Sequence, residues 1–218
     1  MARLLIAHRA GNDLQLLSEA FSAGVDYAEA DVWLYRRQLE VRHSKTLGLI
    51  PLLWDRWSLR PGWTRRLVLS EVVRAANGQG RLYLDLKGRE KALPATLTLE
   101  LNLFGLSDVA FSSPFWWYLD ELKPEFPEAT LFYTVSSLER LEEFRPRLAK
   151  REVSAVAIKS SIVSKDVIGE LRDAGVEDIT TWGVDTRADA QEAFASGLNG
   201  VNSKNLGLLA ELRREGGS

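Results

Sequence analysis

Short apolar runs recur along the chain, and the segments between them carry apolar residues at helical spacing. Arg3–His8, Tyr27–Leu34, Arg81–Lys87, Val109–Ser113, Thr130–Val135, Ala155–Ser160, Asp178–Val184 and Gly200–Asn205 read as buried strands from their length and their β-branched and aromatic content. Asp13–Ala23, Ser70–Ala76, Glu90–Leu103, Pro114–Lys123, Ser136–Leu148, Lys165–Ala174, Arg187–Ser196 and Leu206–Arg214 read as helices. Most runs begin roughly 20 to 30 residues apart, the length of one βα unit. Eight such units in series predict a (β/α)8 TIM barrel, near the lower end of that fold's size range. The steps SAGVDY, DAGVED and ASGLNG supply the expected helix stops. A doubly wound sheet competes, but the glycine-rich turn that such a sheet carries after its first strand is missing.

The gap between the second and third units breaks the rhythm. Gln38–Ser44 alternates like a strand that returns on Tyr27–Leu34 through the Tyr35-Arg36-Arg37 turn. A long excursion follows, LGLIPLLWDRWSLRPGWTRR, in which Trp54, Trp57 and Trp63 interleave with Arg56, Arg60, Arg65 and Arg66. It reads as a small hydrophobic cap on the barrel rim, or as a pocket wall able to touch a headgroup or a lipid interface.

Composition narrows the class. The 218 residues, 45% hydrophobic and 27% charged, can bury a substantial core, and no linker divides them, so 1–218 reads as a single domain. The absence of cysteine removes disulfides, thiolate metal sites and cysteine nucleophiles. With 28 basic against 30 acidic side chains, net charge gives no reason to expect nucleic acid or an anionic membrane as partner. The opening MARLLIAHRAG is too short in its apolar part for a signal segment, and no run is long enough to span a bilayer, so a cytoplasmic location is expected. Oligomeric state is not legible.

In a barrel the chemistry sits at the carboxyl ends of the strands. Those ends hold both histidines of the chain, His8 and His43, with Arg9, Glu29, Asp31, Asp85, Lys87, the Ser112-Ser113 pair, Lys159, Trp182 and the Ser203-Lys204 pair. Glu29 and Asp31 are two apart, so they share one face of their strand while Ala28, Ala30 and Val32 take the other. Converging carboxylates repel by up to about 4 kcal/mol per pair at about 4 Å and an effective dielectric of 20. Compensation can come from a hard divalent cation, Mg²⁺ or Ca²⁺, which suits an all-oxygen set. It can equally come from an ion-pair network with Arg9, Lys87 or Lys159. Two imidazoles on one rim can divide acid and base work, and Arg9 and Lys87 suit a phosphate oxygen.

At these residues the sequence resembles the glycerophosphodiester phosphodiesterase family. IAHRAGN (Ile6–Asn12) is similar to its His-Arg-Gly opening, GVDYAEADVWL (Gly24–Leu34) to its Glu-x-Asp-Val strand, LEVRHS (Leu39–Ser44) to its second histidine, and LYLDLKG (Leu82–Gly88) to its Glu-x-Lys strand. VAFSSP, TTWGVDT and GLNGVNSKN look like later segments of the same family. The resemblance implies a (β/α)8 barrel that hydrolyses glycerophosphodiesters to glycerol 3-phosphate and an alcohol. Glu29, Asp31 and Asp85 fall on its metal positions, His8 and His43 on its acid/base pair, Arg9 and Lys87 on its phosphate-contacting cations, and Trp182 on an aromatic pocket position. The chain departs from the pattern in places. Ala10 replaces a glycine, with Gly11 next to it as the flexible step, and Asp85 replaces a glutamate. Ser44 replaces an aspartate, and no acidic segment follows the first strand. A lysophospholipase D-like or cyclising phosphodiesterase acting on a lipid, with peripheral lipid contact, is one alternative. A phosphate-binding barrel without catalysis is another.

Overall fold

The computed structural model describes residues 3–46, 52–55, 58–61 and 66–216. Eight parallel strands close into a ring: β1 (Leu4–Ala7), β2 (Tyr27–Tyr35), β3 (Arg81–Lys87), β4 (Val109–Ser113), β5 (Thr130–Val135), β6 (Ala155–Lys159), β7 (Asp178–Trp182) and β8 (Gly200–Ser203). β1 closes the ring by pairing with β8 on one side and β2 on the other, with Ile6 opposite Asn202 and Tyr27. Helices α1 (Leu14–Ser22), α2 (Leu69–Ala76), α3 (Leu93–Leu103), α4 (Trp116–Leu122), α5 (Leu138–Ala149), α6 (Lys165–Asp173), α7 (Arg187–Ala195) and α8 (Leu206–Gly216) follow the strands in turn. The architecture is the predicted (β/α)8 barrel, and the elements fall within a few residues of the ranges read from the pattern.

Local chemistry explains the boundaries. Asp13, Ser137, Ser164 and Thr186 cap α1, α5, α6 and α7 by accepting from backbone N–H groups of the first turn. The predicted stops pass through positive φ, as at Gly24 (φ 76°) and Gly175 (φ 91°). The predicted return strand is present over Gln38–Val41, antiparallel to β2, and ends before His43. Its turn places Arg36 (φ 48°) and Arg37 (φ 66°) in the left-handed region. Strands Lys45–Thr46, Leu52–Asp55 and Ser58–Pro61 form a separate small sheet outside the ring. Trp57, Trp63, Arg56 and Arg65 of the excursion lie outside the described residues, as do the side chains of Trp54 and Arg60.

Strand parity sorts the core into two. The larger cluster lies between strands and helices and contains Ala28, Ala30, Val32, Leu82, Leu84 and Leu86. The smaller fills the ring with Ile6, Tyr27, Tyr83, Ala110, Phe132, Ala155 and Ala157. Tyr83 is packed between Tyr27 (6.2 Å between ring centroids) and Phe132 (5.0 Å), which plugs the barrel. Glu29 and Asp85, two residues further along the same strands, and Asp31, four further, therefore stand above an apolar floor at the carboxyl ends.

Candidate active site

A cavity of about 320 Å³ opens at this end of the barrel. His8, Arg9, Glu29, Asp31, Asp85, Lys87 and Trp182 line it, so the fold brings together every predicted site residue but one. His43 is the exception. It lies half-buried just beyond the return strand, near enough that its charge favours the ionised form of Asp31. Lys159 is exposed and the Ser203 side chain is buried.

The acids converge as parity requires. One carboxylate oxygen from each of Glu29, Asp31 and Asp85 lies within 4.8 Å of the others. Glu29 and Asp31 are almost wholly buried, at 3% and 1% exposure. The ammonium of Lys87 is 3.0 Å from Asp31 Oδ1 and donates to Asp85 Oδ2, and Ser112 Oγ donates to Asp85 Oδ1 at 2.9 Å. Arg9 Nε lies 3.7 Å from Asp31 Oδ2. Both cations expected to face a phosphate thus also balance the acids, and Asp85, a methylene shorter than glutamate, is within reach of the lysine two residues on.

The turn after β1 is built differently from the expected flexible glycine. Arg9 takes the left-handed step (φ 59°), and its backbone N–H donates to Glu29 Oε2 at 2.9 Å. A strained arginine backbone is held here by a buried carboxylate. Gly11 serves close approach instead: a Cβ there would lie 2.7 Å from Ala30 Cβ and 3.0 Å from the Glu29 carbonyl. The turn Ala10–Asn12 is thereby pressed onto β2, and Asn12 reaches Asp31.

Electrostatics follow from this crowding. Burial first, then Asp31 and Asp85, raise the Glu29 carboxyl to about 8. Burial also pushes Asp31 up, but the Lys87 charge and the hydrogen bonds from Asn12 and Lys87 outweigh it and hold this carboxylate below its usual range. Burial raises Asp85 against the opposing Lys87 charge. Lys87 stays protonated well above the usual range because the three acids overcome its burial. Burial, then the Arg9 charge, lower the His8 imidazole to about 4. Near neutrality His8 is the free base, 3.8 Å from Glu29 Oε2.

Sequence reasoning passed over Asn12, Tyr83 and Asn202. Asn202 is buried, its Nδ2 is 3.4 Å from Glu29 Oε2, and its Oδ1 has no hydrogen-bond partner among the described residues. Parity was the available signal: Tyr83 is two before Asp85, and Asn202 sits at the ring-facing position of β8. For Asn12 no periodic signal exists, since it ends a three-residue turn. The donor set of three carboxylates and a buried amide oxygen fits a hard divalent ion. No helix among the described residues is long and apolar enough to cross a membrane.

No protein-family model and no curated protein matches the sequence. Solved structures do match the fold. A phosphodiesterase from Oleispira antarctica, in complex with the product sn-glycerol-3-phosphate, superposes with a TM-score of 0.77 at 19% identity, over 100% of this chain and 98% of that one. The glycerophosphodiester phosphodiesterase from Thermotoga maritima gives 0.74 at 20% identity, over 98% and 99% of the two chains. That from Parabacteroides distasonis gives 0.73 at 16% identity over the full length of both. From end to end, this chain has the (β/α)8 fold of the solved glycerophosphodiester phosphodiesterases.

Proposed function

We propose that the protein hydrolyses glycerophosphodiesters to glycerol 3-phosphate and an alcohol with the help of a divalent cation. The observation that carries this reading is the convergence of Glu29, Asp31 and Asp85 on one cavity that also holds His8, Arg9 and Lys87. The three carboxylates would hold the ion, which when bound polarises phosphate oxygens and stabilises charge in the transition state.

The remaining roles belong to the chain's own groups. Arg9 and Lys87 border the cavity as donors to the non-bridging phosphate oxygens. Neutral His8 takes the proton from the attacking hydroxyl, water in the simplest case. His43 delivers a proton to the departing alkoxide. The new P–O bond forms as the bond to the alcohol breaks, and one water is consumed per diester. Trp182 walls the cavity and packs against the barrel plug, so it faces the glycerol or alcohol moiety.

The test is release of glycerol 3-phosphate and free alcohol from a panel of glycerophosphodiesters, with a lysolipid alongside. The proposal expects turnover of at least one soluble diester and a loss of at least about 100-fold in His43→Ala with the fold intact. Near-normal turnover in that variant refutes the assignment of His43.

A further inference from the structure

We infer that Arg42 is a positioning residue that holds His43 in place. The inference rests on the reading of His43 as a proton-transfer group. The return strand ends at Val41, so His43 stands on irregular backbone two residues beyond it. The chain pins it from both sides through Arg42. The Arg42 N–H donates to the Asp31 carbonyl at 3.0 Å, and the Trp33 indole Nε1–H donates to the Arg42 carbonyl at 2.9 Å. The Arg42 guanidinium then donates to the carbonyl of Ser44, the residue after His43. The residue before His43 is thereby tied to β2 through its backbone, and the residue after it is tied to the side chain of that same arginine.

The guanidinium is itself fixed. Its Cζ stacks 4.9 Å from the centre of the Trp33 ring, and its Nε donates to Glu40 Oε2 at 2.7 Å. Glu40 also accepts from Arg66 through its other oxygen. Glu40 and Arg42 are 4% and 7% exposed, which is costly for charged groups whose sole task is mutual neutralisation. One arginine nitrogen satisfies Glu40, and another is left for the Ser44 carbonyl. The planar fork of arginine can do both while lying flat on an indole, and lysine cannot. Asp31, a member of the acid cluster, begins this chain of contacts and feels the His43 charge at its end.

The experiment compares the wild type with Arg42→Lys, Trp33→Phe, His43→Ala and the double variant Arg42→Lys/His43→Ala. Arg42→Lys keeps the charge facing Glu40 and loses the fork, and Trp33→Phe keeps a ring under the guanidinium and loses the indole donor. Displacing an acid/base group by about 1 Å can cost about 100-fold. The expected result is a kcat reduced about 10- to 100-fold in Arg42→Lys with KM little changed, and no further loss when the same change is made in His43→Ala. Undiminished kcat in both single variants, or an equal loss in the His43→Ala background, overturns the inference.

A second readout does not need activity. The chain has two histidines, so two sets of imidazole ring signals arise and His43→Ala assigns them. In Arg42→Lys and Trp33→Phe the His43 signals should shift or broaden while those of His8 hold. Unchanged His43 signals in both variants refute positioning even if no diester is cleaved, whereas an inactive wild type with moving signals counts against the proposed activity alone.

Discussion

Asn12 grips Asp31 at both ends: its Nδ2 donates to the carboxylate Oδ2 at 2.8 Å while its Oδ1 accepts from the Asp31 backbone N–H at 2.9 Å. The acid is thus oriented by a residue from the turn after β1, and the Gly11 contact with β2 makes that reach possible. Groups that orient metal-binding carboxylates typically tune affinity by 10- to 100-fold. Asn12→Ala should weaken divalent-ion binding by about that factor, as read by calorimetric titration. Gly11→Ala should destabilise the fold by about 1 to 3 kcal/mol through the clash with Ala30.

Glu29 makes metal binding pH-dependent. Its carboxyl is raised from the usual 4.5 to about 8, so the metal-free protein carries a proton there at neutrality. A raised carboxyl contributes stability that is present below about 4.5 and is lost as pH rises through about 8. Binding of the ion expels the proton. Apparent affinity should therefore climb between pH 6 and 8, by up to about tenfold per pH unit from this group, and level above it. Calorimetry in buffers of different ionisation enthalpy should count close to one proton released below pH 8.

Lys87 and a divalent ion serve the same acids. Removing one partner from a buried ionic cluster costs about 3 to 5 kcal/mol. Lys87→Met should lose stability on this scale when metal-free and regain more of it on addition of Mg²⁺ or Ca²⁺ than the wild type gains. Denaturant titration with and without the ion reads both. An equal response of the two proteins means that the acids are satisfied by ion pairing alone.

The hairpin after β2 carries avoidable strain. Arg36 and Arg37 occupy left-handed positions between the paired Tyr35 and Gln38. A two-residue turn of this kind favours Asn-Gly. The double change Arg36→Asn/Arg37→Gly should stabilise the protein by about 1 kcal/mol, measured by denaturant unfolding.

The barrel was legible because its signals are local and periodic. Glu29 and Asp31 alternating with Ala28, Ala30 and Val32 announce a strand polar on one face, and SAGVDY or DAGVED announces the next strand. Ring-facing chemistry was legible by the same parity, which is why the three acids and His8 meet as expected. What escaped depends on closure of the ring. The amide of Asn202 meets Glu29 only because β8 returns beside β1, and no spacing encodes a contact 173 residues long. The left-handed step at Arg9 escaped because glycine is the usual sign of it, and here a carboxylate holds an arginine there. Lys87 could be read both as a cation near phosphate and as a partner of the acids, and its pairs with Asp31 and Asp85 realise the second reading.

The central claim is that the carboxylates of Glu29, Asp31 and Asp85 bind an ion required for diester hydrolysis. The most direct measurement is release of glycerol 3-phosphate from a glycerophosphodiester after exhaustive chelation, followed by return of Mg²⁺, Ca²⁺ or Mn²⁺. The account predicts loss of turnover on chelation, recovery with at least one of these ions, and no recovery in Asp31→Asn. Turnover that survives thorough chelation unchanged would contradict it.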